Sequence, residues 1–164
     1  MGTLLEVFRT TTNILNISLH GLPDDVARVR TRGSEGPSIS WTVGHMPNSR
    51  LKILVLLGEV RPNPYADQFG DAPATDGVNY PTLATMLAEW ANLHEALELA
   101  AVKDADVISR PLAKAGLHGE SKVRDRIAFL AWHEAYHVGV IGAARKAAGL
   151  LGPAELVRAA SRAA

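Results

Sequence analysis

The chain has 164 residues, 47% hydrophobic and 21% charged, the balance of a protein that buries a core and too apolar for a disordered one. Lys plus Arg and Asp plus Glu both number 17, so the formal net charge is +0 without a polybasic run, which excludes a nucleic-acid backbone or an anionic membrane as an expected main partner. Cysteine is absent, so any metal must be held by His, Asp or Glu, and thiol chemistry would need a thiol supplied by a small molecule.

Taken in chain order, four long segments carry helical periodicity, with Pro and Gly gathered between them. The first, "TLLEVFRTTTNILNISLH", places Leu4, Val7, Phe8, Thr11, Leu15 and Leu19 at spacings of three and four, and Gly21 and Pro23 end it. A short helix is expected after Pro23, where Asp24 and Asp25 suit a first turn. The second long helix lies in "SISWTVGHMPNSRLKILVLLGE". Ser38 or Ser40 can cap it, and Trp41, Leu51, Leu54, Val55 and Gly58 are its expected inward face. Pro47 removes a backbone donor inside that pattern and predicts either a kink or a helix start at that point.

The run from Leu51 to Leu57 is apolar on more than one face, more than a lone bundle needs to bury, and predicts a homodimer. It is too short to span a bilayer, and the N-terminus lacks a basic-then-apolar secretion signal, so a cytoplasmic location is expected. Residues 61 to 81 hold Pro62, Pro64, Pro73 and Pro81 with Gly70 and Gly77 and predict a long loop. Its stretch from Arg61 to Tyr80 is expected to wall the mouth of a site.

The third helix begins near Pro81, with Leu83, Met86, Leu87, Trp90, Leu93, Leu97 and Ala101 on one side. A polar loop from Lys103 to Glu120 follows. Ser121 opens the fourth helix, Gly149 closes it, and residues 150–164 read as a short final helix or tail. No segment alternates with period two. The expectation is a single all-α domain over residues 1–164, a four-helix bundle with long connecting loops.

The fourth helix contains "LAWHEAYHVGV", and His133-Glu134-Ala135-Tyr136-His137 fits the H-E-x-x-H pattern of zinc peptidases. Four residues apart, both imidazoles can reach one ion. His137 falls on the apolar stripe of Val123, Ile127, Leu130, Ile141 and Ala144, and His133 lies beside it. Burying such rings without partners costs ~2 kcal/mol or more each, so a shared metal or a dense hydrogen-bond net is needed to offset the loss. A third ligand must come from elsewhere, and His20, His45, His94 and His118 are the candidates. Of these, His45 lies on the side of Trp41, His94 sits on a charged flank with Glu95 and Glu98, and His20 and His118 fall at a helix end and in a loop.

"WTVGHMPNSRLKIL" followed about ninety residues later by "HEAYHVGVIGAARKAAGL" resembles the DinB/YfiT-like superfamily of bacterial four-helix proteins. In that superfamily one His of helix two and an H-x3-H pair of helix four bind a divalent metal. The resemblance implies that His45, His133 and His137 are the metal ligands; imidazole suits zinc and nickel alike, so the ion stays open between the two. It also implies a transferase or isomerase chemistry that uses a low-molecular-weight thiol such as mycothiol or bacillithiol on a small-molecule substrate, although members without known activity exist.

The longer peptidase pattern would need His at Ala143 and Gly at Val140, and the shorter one would take Glu155 as third ligand, beyond Gly152-Pro153. No strand on which to align a peptide is readable. Glu134 is left as an acceptor that orients a ligand His, as a base for a metal-bound water, or as a solvated helix charge. Two further readings stay open: a metal-dependent hydrolase using Glu134, and a non-catalytic metal-binding or stress-response protein.

Overall fold

The computed structural model describes residues 2–30, 33, 36–69, 74, 79–104 and 106–163. In chain order the helices are α1 (Gly2–Leu19), α2 (Asp24–Arg28), α3 (Ile39–His45), α4 (Pro47–Leu56), α5 (Ala66–Phe69), α6 (Leu83–Lys103), α7 (Val123–Ala147) and α8 (Pro153–Ala163). Among the described residues no strand forms; Pro111 and Lys122 make only an isolated bridge. The fold is all-α. None of the described helices is long and apolar enough to cross a membrane.

Four rods make the bundle, the second being α3 and α4 joined end to end. Met46 between them keeps helical dihedrals (φ −57°, ψ −37°), and Pro47 occupies the first turn of α4. The backbone therefore stays helical through the junction, with the proline at a position where its missing donor is least costly. Ser38 caps its start, the Oγ accepting from Trp41 N at 3.1 Å. α1 packs on α6 and α7, and α4 packs on the same two helices from the other side. The rods thus form a ring in which α1 and α4 are not direct neighbours.

Two apolar clusters fill the ring, and their membership gives the chain directions. One holds Leu5 and Phe8 of α1, Leu51 and Leu54 of α4, Leu93 and Leu97 of α6, and Ile127 and Leu130 of α7. The other holds Leu15 and Leu19, Trp41 and Met46, Met86 and Trp90, and Val138 and Ile141. α1 and α7 run from the first cluster to the second, whereas α3/α4 and α6 run the opposite way. Consecutive rods α4 and α6 are therefore parallel, so the chain between them must return the length of the bundle. This explains the long Pro-rich connection. Phe69 and Tyr80 of that connection are buried in the second cluster.

Between the clusters lies a polar waist to which each rod contributes one side chain: Thr12, Arg50, His94 and Glu134. Arg50 and Glu134 have no solvent exposure. Arg50 Nε and Nη2 donate to the two Glu134 oxygens at 2.9 and 3.1 Å, Nη2 also to Thr12 Oγ1 at 3.0 Å, and Nη1 to His94 Nδ1 at 3.0 Å. Its guanidinium stands 4.1 Å from the centre of the Trp90 ring, a cation–π contact.

Several expected faces shift. Val7 is exposed, and the buried line of α1 runs through Leu5, Phe8, Thr12, Leu15 and Leu19. In α4 the expected surplus of apolar surface is mostly consumed: Leu51, Ile53, Leu54 and Leu57 are buried, leaving Val55 exposed and Leu56 half-buried. Gly58 lies past the helix end at φ +88° and serves the turn instead of the inward face. The fourth rod starts at Val123 with Lys122 at its cap position, one residue beyond Ser121. Asp125 accepts from Lys122 N at 2.9 Å. At its end Gly149 (φ +77°) donates to Lys146 O and Leu150 N to Arg145 O, a Schellman closure. The tail forms α8, which docks on α1. Gly142 permits this, since a Cβ there would stand 2.9 Å from Pro153 Cδ.

Candidate metal centre

His45 ends α3 directly before the Met46–Pro47 junction, and His133 and His137 lie one turn apart on α7, which packs against α3. Their ring centres are 5.0 Å (His45 to His137), 5.9 Å (His45 to His133) and 4.4 Å (His133 to His137) apart. One ring nitrogen from each residue falls within 4.8 Å of the other two, close enough for all three to hold one ion.

Each ring is oriented by its surroundings. Trp41, one turn before His45, stacks on it at 4.7 Å and 11°. His45 Nδ1 lies 2.9 Å from Phe69 O. A carbonyl only accepts, so Nδ1 carries a proton, which leaves Nε2 as the nitrogen of that ring that can face a metal. Asn48 steadies the same carbonyl, its Nδ2 donating to Phe69 O at 2.6 Å, while Asn63 Nδ2 donates to Asn48 Oδ1 at 2.5 Å. The described part of the connecting loop thus touches the site through a backbone carbonyl. The remainder of the expected wall, residues 70–73 and 75–78, lies outside the described residues.

On α7, His133 Nε2 and His137 Nε2 face each other at 3.0 Å. Burial, and then the neighbouring His133 and His45, push the His137 pKa down to about 3. Burial also lowers that of His133, with the charges of His45, Lys52 and Arg126 adding to the effect. Both rings are therefore neutral at neutral pH. Two inward nitrogens 3.0 Å apart are stable when one proton or one cation lies between them, because two bare lone pairs repel. His137 Nδ1 is buried with no hydrogen-bond partner among the described residues, so Nε2 is where that ring meets its polar neighbours. Three imidazoles with convergent nitrogens fit a divalent ion of the zinc or nickel type. His45 and His133 are only half-buried, which leaves one side of the cluster open.

The remaining histidines stand elsewhere. His94 belongs to the waist, where its Nδ1 accepts from Arg50. His118, in the loop before α7, stacks on Phe129 at 4.5 Å, and His20 is exposed in the turn after α1. Glu155 accepts from Gly152 N at 2.7 Å and from Lys146 Nζ at 3.0 Å at the start of α8, so it is engaged away from the histidines.

For Glu134 the sequence offers three roles: to orient a ligand, to serve as a base, or to be a solvated charge. It hydrogen-bonds neither His133 nor His137, and it is not solvated. Being one residue on from His133, it points about 100° around the helix, and both its oxygens are taken by Arg50 in the waist. Burial pushes its carboxyl pKa up, and Arg50 works against that shift. Sequence reasoning missed Arg50, although its signal is legible: with Leu54 and Leu57 it keeps a spacing of four and three, on the inward face. Asn48 and the Phe69 carbonyl were missed as well. Only Asn48, three residues after His45, carried any signal; a backbone carbonyl carries none.

A sequence profile of the DinB superfamily matches residues 8–141, a span that contains the three histidines and the polar waist and stops before α8. No curated protein matches the chain. The profile covers well over half of the sequence, and the chain belongs to the DinB superfamily.

Proposed function

We propose that the protein is a metal-dependent transferase that joins a low-molecular-weight thiol, of the mycothiol or bacillithiol kind, to a small electrophilic substrate. The observation that carries this reading is the convergence of His45, His133 and His137 on one point with an open side. A fully enclosed set would favour a structural ion, whereas three protein ligands beside an accessible face favour a site that takes an exogenous ligand. A zinc or nickel ion held there supplies the Lewis acidity that lowers the pKa of a bound thiol. The absence of cysteine is consistent with a thiol that arrives as a small molecule.

The chain's own residues orient and exclude. Trp41 and Phe69 O fix the plane and tautomer of His45. The apolar packing around His137 keeps that ring unprotonated. Hydrolysis by way of Glu134 is disfavoured, since its carboxylate is committed to Arg50 and closed off from water. A cytoplasmic homodimer remains part of the proposal; light scattering over a hundredfold concentration range tests the association.

The decisive experiment uses protein made without a His tag, stripped with chelator and reloaded with zinc or nickel. About one ion per chain is expected, together with thiol-conjugate formation from mycothiol or bacillithiol and an electrophile panel in the loaded protein alone. Ion binding without turnover of either thiol would leave a non-catalytic metal protein, and ester or amide turnover without a thiol would favour the hydrolase. No ion bound would overturn all three.

A further inference from the structure

The seam between α4 and α7 continues away from the histidines as a groove. Along α4, Lys52 lies seven residues after His45; along α7, Arg126 lies seven residues before His133. At 1.5 Å per residue both cations stand on the order of 10 Å along the seam from the rings. Leu51, Val55, Leu56 and Leu130 form the apolar remainder of a hollow of about 350 Å³. It adjoins a second hollow of about 430 Å³ under the loop before α7, which shares Leu56 and Arg126 and adds Lys114.

The charges of this groove are unbalanced. Lys52 is exposed and makes no ion pair among the described residues, and the same holds for Lys114. Arg126 uses Nη1 on Glu120 at 2.7 Å and lies 5.1 Å over the Phe129 ring, but its Nε and Nη2 make no hydrogen bond among the described residues. Glu120 is the acidic group that faces this arrangement, and it is already held by Arg126 and by His118 N at 2.8 Å. Donors with spare capacity beside an apolar floor match a molecule with an anionic end and an apolar body.

We propose that the α4/α7 groove binds a small carboxylate- or phosphate-bearing amphiphile, its anionic group between Lys52 and Arg126 and its apolar body on Leu51 and Leu130, the two apolar lining residues on the histidine side of the cations, with the far end directed along the seam toward His133. This names a chemical class for the substrate of the transferase and rests on that reading for its catalytic meaning, though not for its binding. A chain of about eight carbons spans the interval from the cations to the rings, and the electrophilic carbon of the substrate lies at that end.

Octanoate is the probe, with octanol as the neutral control, titrated into metal-free and metal-loaded protein by calorimetry and by NMR of the methyl groups. Octanoate is expected to bind at least about tenfold more tightly than octanol, with Leu51 and Leu130 methyl signals shifting. Lys52→Glu should lower octanoate affinity about tenfold or more and Lys52→Arg should restore it, while ion stoichiometry and helix content stay unchanged. An octylphosphate arm separates the two anions: preference for it assigns phosphate, preference for octanoate assigns carboxylate. Equal binding of octanoate and octanol, indifference to Lys52→Glu, shifts confined to other methyl groups, or no binding at millimolar probe would each overturn the groove assignment. Because the readout needs neither ion nor thiol, such a failure leaves metal binding and thiol transfer standing, and loss of those activities leaves the groove result standing.

Discussion

Two polar clusters occupy the same turn of α7, and they are built on opposite principles. Glu134 belongs to the waist, where Arg50 donates to both carboxylate oxygens, to Thr12 and to His94 with no solvent contact. His133 and His137 belong to the triad, where nitrogens face one another, one buried nitrogen has no partner among the described residues, and two rings reach solvent. The Arg50–Glu134 pair at the centre of the waist is satisfied internally and closed off from solvent, with no capacity left for a ligand. The triad keeps unused lone pairs at an open edge, and that unused capacity is what binding requires. Adjacent residues in sequence can thus serve unrelated ends, because one step along a helix is about 100° of rotation.

The sharpest way to break this comparison is to remove the waist anion. Glu134→Ala leaves a buried, uncompensated guanidinium and should cost about 3–5 kcal/mol of stability, read by chemical denaturation. Replacing both partners, Arg50→Met with Glu134→Leu, should recover most of that loss, since two buried charges and their desolvation disappear together. If Glu134→Ala instead left stability intact and abolished only turnover, the carboxylate would belong to the chemistry and the two clusters would be one.

Next in size is the triad itself. His45→Ala or His137→Ala should weaken zinc or nickel binding by at least about a hundredfold, more than the loss of a merely supporting contact. Metal-free stability should fall less than in Glu134→Ala. Glu155→Ala should leave ion affinity unchanged. A competition assay with a chelating dye gives all three affinities, and an ion lost with Glu155 but kept without His45 would contradict the geometry.

Asn48→Ala asks how far the supporting shell extends. Asn48 shares the Phe69 carbonyl with His45, so its removal should lower ion affinity about tenfold, at the low end for supporting groups, with little change in the denaturation midpoint.

The smallest effect concerns Glu120, beside the groove. Its hydrogen bond from Arg126, then its own backbone N–H and that of His118, hold its carboxyl pKa down at about 2. A carboxyl whose folded pKa lies below its unfolded value stabilises the fold above the ordinary carboxylate range and loses that contribution as pH falls toward 2. Denaturation midpoints of the protein and of Glu120→Gln should therefore differ at neutral pH and converge as acid is added. A gap that persists unchanged into acid would mean that the pair contributes through packing and not through charge.

By itself the sequence determined the long helices, because apolar spacing, caps and breakers act within a few residues: Ser38, Pro47 and Gly149 perform locally as read, while the third long helix starts at Leu83, with Thr82 as its cap, two residues beyond Pro81. It also placed His133 and His137 on one face, a consequence of a four-residue step, while the inclusion of His45 came from a family pattern. What only the tertiary structure decided concerns partners far apart in the chain. The directions of the rods made α4 and α6 parallel and turned the Pro-rich stretch into a return crossover whose Phe69 carbonyl reaches His45. Packing of α4 against α7 matched Glu134 to Arg50, eighty-four positions away, and so removed it from the site that its place in "HEAYH" suggested. Local spacing fixes which way a side chain leaves its own helix, but what it meets there is set by neighbours that the chain brings in from a distance.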